Sequence, residues 1–445
     1  MVYRRLLEMV GAESQADASL GSAMKDAVDA GAWLAGFRAR GDAERLGLLD
    51  EYDRVTHQFR YELGKVEPEN IQALYGESLR LSASQVDRLA ECRLSYFLKY
   101  GLRAKERKEA SVDPAEFGTY VHAVLEQTAQ EIKELGGFHQ VSLAQTLEIS
   151  QKYADAYARE RFSQLDSQRV SYLFRRNSHE LEMVVQELWE ELSRSEFAPA
   201  GFEVEFSKDA DMPPIAIEGA EMKAELRGFV DRVDIWQGPG SSYFRVVDYK
   251  TGRKDFDYCD VFNGVGLQML LYLFALESGG QEVLGSRSIP AGVQYFPARM
   301  PVMGADGRLS EEETEKLRMK EKKRKGLLLD DEQVLQAMEP GESPLRMNYT
   351  VRKDGSRSGD LASREQLGIL KGYVYKVLRN LVNDIASGSV TPNPYTRGTS
   401  HSACSFCPYG AVCHQDEVTG RRNYKTMTAQ RFWEEIGKEE KDHGG

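Results

Sequence analysis

The sequence predicts an α/β chain, a small mixed sheet flanked by helices. Apolar residues recur at helical spacing up to about residue 195, then switch to the alternation of strands between residues 202 and 249. A return to helical spacing and one further apolar strand complete the order helices, three strands, helix, strand.

Each element has a local reason. Residues 1–80 read as helical, polar with scattered Leu and Ala, and carry no chemical motif. Ser82 or Ser84 is placed to cap a helix over 85–100, in which Val86, Leu89, Ala90, Leu94, Phe97 and Leu98 recur at helical spacing. A helix over 115–135 ends at Gly136-Gly137, and two more lie near 144–165 and 177–195. Phe202-Glu203-Val204-Glu205-Phe206 alternates as a half-buried strand does; 223–235 continues that pattern, and a turn at Gly238-Pro239-Gly240 leads into 243–249. A helix over 265–277 precedes a strand at 291–296. Residues 309–338 read as charged and helical, 352–359 as a loop, and 364–386 as an amphipathic helix. From Ser387 onward Pro, Gly and Ser are frequent.

Composition narrows the classes of function. The 445 residues are 41% hydrophobic and 29% charged, which suits two or three packed units. The most apolar stretch, 267–275, is short and contains Gln268, so no transmembrane span is expected, and the N-terminus lacks the pattern of a secretion signal. A cytoplasmic location is the expectation. The net charge of −12 argues against a globally basic nucleic-acid binder, yet KLRMKEKKRK at 316–325 and the cluster Arg103, Lys105, Arg107 and Lys108 are basic islands. Either island could be a solvated helix face or a source of local positive potential.

Two strands carry polar residues where strands usually carry packing: Asp231-Arg232-Val233-Asp234 and Val246-Val247-Asp248-Tyr249-Lys250-Thr251-Gly252. Alternation puts Asp248 and Lys250 on one face, and a short hairpin brings Asp234 close to Asp248. Adjacent carboxylates repel unless a cation lies between them, and Mg²⁺ or Mn²⁺ with oxygen ligands resolves the conflict. Lys250 would then orient or deprotonate a water, the equipment of metal-assisted phosphodiester hydrolysis. A surface salt bridge between Asp248 and Lys250 is the plain alternative. His122, on an otherwise apolar helix after Gly118, is a core histidine or a nitrogen ligand, and Glu126 shares its face. Gln268 and Tyr272 share a helical face and either pack or reach DNA phosphate.

In this order, G-x-x-x-H, D-R-V-D, D-Y-K-T-G and Q-x-x-x-Y resemble the RecB-like branch of the PD-(D/E)XK nucleases. The resemblance implies a restriction-endonuclease-like core with added helices. It also implies His122, Asp234 and Asp248 as metal ligands, with the Tyr249 carbonyl a further one, Lys250 as the catalytic lysine, and Gln268 and Tyr272 as the motif that follows. Val233 stands where the family has a proline.

Five cysteines are sparse for a disulfide framework, yet Cys404, Cys407 and Cys413 form C-x2-C-x5-C. A four-coordinate zinc site or a [4Fe–4S] cluster needs one more thiolate; Cys92 is the best donor and Cys259 its competitor. One upstream cysteine, the nuclease motifs and C-x2-C-x5-C together resemble the C-terminal nuclease of AddB subunits of bacterial AddAB helicase–nucleases. CRISPR-associated RecB-like nucleases are a shorter alternative. The resemblance spans about 82–420 and implies a [4Fe–4S] staple joining the N- and C-terminal parts. It implies a DNA exonuclease module cutting one strand during double-strand-break processing and recombinational repair, with an AddA-like partner in a heterodimer. A catalytically silent DNA-end-binding scaffold is the rival. The expected divisions are a helical segment 1–80, a nuclease domain 81–420 and a tail 421–445. No G-x-x-x-x-G-K-[ST] motif is present, so a fragment of such a subunit or a stand-alone homologue is expected.

Overall fold

Serines start three of the helices. Ser82, Ser310 and Ser363 each accept a hydrogen bond from the backbone three residues on, and Gln85, Glu313 and Gln366 reach back to the serine N–H. The protein is seen here in a computed structural model that describes residues 65–105, 114–162, 168–210, 212–299, 310–398, 401–413 and 420–443, together with Gly41. It falls into two compact units, Met1–Gly64 and Lys65–Gly445. The helical expectation for residues 1–64 lies outside the described residues, Gly41 apart, and the elements below belong to the second unit.

In chain order these are α1 (Pro68–Tyr75), β1 (Ser78–Ser82), α2 (Ala83–Glu91), α3 (Arg93–Tyr96), α4 (Pro114–Glu134), α5 (Leu143–Phe162), α6 (Gln168–Leu192), β2 (Ala198–Phe206), β3 (Ile215–Glu218), β4 (Lys223–Gly238) and β5 (Ser241–Lys250). Next come α7 (Tyr258–Phe262), α8 (Gln268–Gly279), α9 (Gln281–Leu284), β6 (Ser288–Pro297), α10 (Glu311–Glu321), β7 (Lys325–Leu329), α11 (Glu332–Met338), β8 (Tyr349–Val351), β9 (Arg357–Gly359), β10 (Leu361–Ala362) and α12 (Arg364–Ala386). The C-terminal part adds β11 (Tyr395–Arg397), β12 (His401–Ser402), α13 (Gly410–Cys413), β13 (Arg422–Asn423) and α14 (Ala429–His443).

The main sheet runs β1-β4-β5-β6-β7-β10, and the long strand β4 also pairs with β2 and β3. β4 and β5 form the expected antiparallel hairpin, while β5 and β6 are parallel, joined by a crossover containing α8. The larger core lies between β1, β3, β4, α2, α8 and α12, and takes in Phe432 and Ile436 of α14. A second core packs α4, α5 and α6 against Val247 and Tyr249 of β5 and Phe296 of β6. The sheet is therefore covered on both sides, and consecutive residues of β5 serve different cores.

Several expectations shift. The helix over 85–100 breaks at Cys92, whose φ of −165° is extended. Tertiary contacts explain the break: Arg93 N–H bonds Asn393 Oδ1 at 2.8 Å, and its guanidinium reaches Asp384. Beyond α3 the turns widen into a π-helical segment, Phe97–Gly101. The charged stretch 309–338 is helical only in two pieces, because Lys325–Leu329 is strand β7, antiparallel to β6. Gly326 permits that pairing, since a Cβ there would lie 1.9 Å from the Val293 carbonyl. The expected divisions at 80 and 421 do not coincide with the edge of the unit. β1 pairs in parallel with β4, and the tail contributes β13 and the core residues of α14.

Candidate active site and cysteine cluster

On β4 the side chains alternate, so Asp231 and Asp234 point to opposite sides of the sheet. The hairpin register Arg232↔Val247, Val233↔Val246 and Asp234↔Arg245 sets Asp231 level with Asp248 and Asp234 level with an arginine. Asp234 is therefore not the partner of Asp248, and the expectation that it binds the metal is corrected. Its carboxylate is fully buried and held by Arg232 Nε and Arg245 Nε, each at 2.8 Å. Both guanidiniums also reach Glu191 of α6, as does Arg324 of β7. Against the upward push of burial, these three arginines hold the Glu191 carboxyl down at about 2. Asp234 belongs to this buried ionic network, where both lobes of its charge are already used.

Asp231 takes the place expected for Asp234. Its Oδ2 accepts the Tyr249 N–H at 2.6 Å and lies 3.5 Å from His122 Nδ1. His122 Nε2 is 2.8 Å from the Tyr249 carbonyl, to which it donates. Lys250 Nζ lies 2.6 Å from Asp248 Oδ2, and Asp248 is almost wholly buried. On the other side of β4, the pairs Phe202↔Arg232 and Val204↔Val230 set Glu203 level with Asp231. Three carboxylates thus stand in one row across β2, β4 and β5.

Glu203 had no part in the sequence-based expectation. It sits at φ +44°, a conformation in which few residues other than glycine are found. Ligand atoms of His122, Glu203 and Asp231 all lie within 4.8 Å of one another, as a shared cation requires. Burial, then Asp248, raises the Asp231 carboxyl to about 6; burial, then Asp231, Glu126 and Asp248, raises Glu203 to about 7. Burial also raises Glu126. Crowded acids with raised affinity for protons fit a site that receives a divalent cation.

Cys92, Cys404, Cys407 and Cys413 line one small cavity, with Leu94, Ser95 and Tyr409 around them. Burial raises the Cys404 and Cys413 thiols, and the neighbouring thiols push the same way. Cys259 lies elsewhere, fully buried with its Sγ 3.3 Å from the Lys425 carbonyl. The donor set fits a metal or cluster, since four thiols with no other chemistry converge from two distant parts of the chain. Hydrogen bonds close the same junction. Arg422 reaches the Ala90 and Glu91 carbonyls, and Tyr409 Oη donates to the Ala104 carbonyl at 2.9 Å.

A profile of the PD-(D/E)XK nuclease superfamily matches residues 80–414. The chain belongs to this superfamily. Among curated proteins it is 31% identical to the B-type subunit of the ATP-dependent helicase/deoxyribonuclease of Acetivibrio thermocellus, over 98% of this chain and 39% of that protein. To the protein of the same name from Moorella thermoacetica it is 34% identical, over 87% of this chain and 34% of that protein, and to that of Clostridium novyi 33%, over 84% and 34%. The chain spans little more than a third of the length of these relatives.

Within this nuclease fold, Gln268 and Tyr272 occupy the first turns of α8. Tyr272 is buried and stacks on Phe206, with centroids 5.2 Å apart. Its hydroxyl interacts with the Gln268 side chain and the Phe229 backbone, so Tyr272 fixes β4 beside Asp231 instead of reaching solvent. Gly228 makes room for it, as a Cβ there would lie 1.9 Å from that hydroxyl. The basic island at 316–325 is partly internal. Arg324 is buried on Glu191, and Lys322 pairs with Glu187 at 2.6 Å. Of the other island, Arg107 and Lys108 lie outside the described residues. Among the described residues no helix is long and apolar enough to cross a membrane.

Proposed function

We propose that this chain is a Mg²⁺-dependent deoxyribonuclease module that hydrolyses one DNA strand at double-strand-break ends, as part of a helicase–nuclease complex with an AddA-like partner. The observation that carries the chemistry is the row Glu203, Asp231 and Asp248, flanked by His122 and Lys250. The relatives' names support the helicase–nuclease setting and favour it over a CRISPR-associated nuclease.

Asp231, Asp248, His122 and Glu203 would hold the cation, which when bound supplies Lewis acidity and an activated water. The Tyr249 carbonyl is drawn toward His122, and the two orient each other. Lys250, anchored on Asp248, presents its ammonium to the charge that develops as water adds to phosphorus. The P–O ester bond then breaks and the leaving oxygen takes a proton. Gln268 and Tyr272 position β4 through the contact at Phe229. Glu191, Arg232, Arg245 and Asp234 lock the opposite face of the same hairpin, so the carboxylate row has a rigid backing.

The four cysteines are read as ligands of a [4Fe–4S] cluster. A zinc tetrahedron with bonds of about 2.3 Å places its sulfurs about 3.8 Å apart. Among the described residues no three of these thiols come within 4.8 Å of one another, and the wider spacing suits a cluster. Visible absorption of anaerobically purified protein with iron and zinc analysis separates the two.

Cleavage of end-labelled DNA with Mg²⁺, by the chain alone and with its helicase partner, tests the nuclease reading. Loss of cleavage in Asp248→Ala supports it. A parent protein that binds DNA ends without cutting them, indistinguishable from Asp248→Ala, replaces it with a silent scaffold.

A further inference from the structure

Tyr75, Tyr96 and Tyr100 stand in a row beside the π-helical segment, with centroids 6.1 Å and 5.3 Å apart along it. Tyr96 is buried behind, and the other two rings are half-buried on the wall of a cleft of about 530 Å³. Gly101 allows the row, because a Cβ there would lie 2.6 Å from the Tyr75 hydroxyl.

Arg80, Lys99 and Arg103 line the same cleft, all exposed, and form no ion pair with a described carboxylate. Lys99 Nζ lies 5.2 Å from the Tyr100 ring centre. Of the acidic lining residues, Glu225 is occupied by Lys208 and Arg227, each at 3.0 Å, which leaves Glu77. On a chain of net charge −12 this is a local excess of positive charge around aromatic rings. The backbone is also unusual here: the segment is π-helical and Arg103 has φ +54°, and such conformations are concentrated at functional sites.

The cleft connects to the carboxylates along one strand. On β4 the residues Glu225, Arg227, Phe229 and Asp231 share a face that is open throughout, whereas Ala224, Leu226 and Val230 between them are buried. Phe229 is 50% exposed, one step before Asp231 on that face. From Glu225 to Asp231 is about 20 Å of strand, a distance that a few extended nucleotides cover.

We propose that this cleft is a binding site for single-stranded DNA, in which bases stack on Tyr75 and Tyr100 and phosphates meet Arg80, Lys99 and Arg103. The strand then passes over Phe229 to the carboxylate row. The site rests on the nuclease reading for its direction, but not for its binding. Unpaired bases are required because stacking on tyrosine faces needs exposed base planes, which a closed duplex does not offer.

The test uses the 445-residue chain with Ca²⁺ in place of Mg²⁺, so that binding is read without cutting. Fluorescence anisotropy follows a short labelled oligo(dT) and the same oligomer with abasic sites. Tyr100→Ala is expected to weaken oligo(dT) by about 5- to 100-fold and to leave the abasic oligomer unchanged. Lys99→Glu with Arg103→Glu is expected to lower the salt slope by about 1.4, at about 0.7 per phosphate. Photo-crosslinking of 5-iodouracil DNA to the parent protein, which needs no variant to fold, is expected to label the peptide containing Tyr96 and Tyr100. Unchanged oligo(dT) binding by a folded Tyr100→Ala, a crosslink elsewhere, or a blunt duplex that competes equally well overturns the proposal. Cleavage with Mg²⁺ is scored separately. A parent that binds through the cleft but does not cut removes only the nuclease reading, and one that cuts while Tyr100→Ala binds normally removes only the cleft.

Discussion

Two aspartates three residues apart have different duties, and parity decides which. Asp231 shares a face with Asp248, while Asp234 is neutralised by Arg232 and Arg245. Asp231→Asn is expected to lower cleavage by at least about a thousandfold with the fold retained. Asp234→Asn is expected instead to cost about 3–5 kcal/mol in urea unfolding, because buried guanidiniums lose their counter-charge. Equal stability in Asp234→Asn and the parent would return Asp234 to the site. Glu203 and Asp231 also make stability depend on pH. Their folded affinities for protons are raised, to about 7 and about 6, so the stability they contribute is complete below about pH 4 and lost as pH rises through those values. In metal-free protein Glu203→Gln is therefore expected to be more stable than the parent at pH 8, by about 1–2 kcal/mol after solvent screening, and no different at pH 4. Thermal unfolding at the two pH values checks the sign.

Among the elements, β4 organises the site. It receives β2 and β5 along the half that carries Asp231, and β1 and β3 along the other. Its glycine at 228 has a specific job, since the Tyr272 hydroxyl fills the place of a side chain there. Gly228→Ala is expected to destabilise the protein by about 1–3 kcal/mol and to lower cleavage, and Tyr272→Phe in the same chain is expected to recover part of the stability. A double-mutant cycle by urea unfolding reads the coupling. α10 has no buried residue, and its order rests on its serine cap and on surface pairs such as Lys316–Glu312.

At the scale of the molecule, four thiols bring the break at Cys92 against the loop 404–413, joining the two ends of the nuclease fold. A cross-link over a loop that long restricts the unfolded chain, by about 4–5 kcal/mol in the disulfide approximation for a loop of about a hundred residues. Cys413→Ser is expected to lower the unfolding midpoint and to open the segment after Cys92 to protease, because Tyr409, which holds the Ala104 carbonyl, sits on the same loop. Limited proteolysis with mass mapping checks this; an unchanged cleavage pattern would show that the hydrogen bonds of Arg422 and Arg93 suffice.

Local patterns in the chain were enough to place α12 over 364–386, the hairpin of β4 and β5, the D-x-K pair and the C-x2-C-x5-C loop, because caps, periodicity and ligand spacing act over a few residues. The register of β4 on its neighbours was not readable there. It depends on which aspartate finds arginines across the sheet, and Arg232 and Arg245 flanking Asp234 were the available sign. Glu203 came into the site only because β2 folds back onto β4, and β7 only because Gly326 lets it approach β6. The break at Cys92 likewise answers to Asn393 and Asp384, partners about three hundred residues away. Local signals choose the elements; contacts between distant segments choose which side chains meet, since parity, burial and charge balance exist only once the strands are side by side.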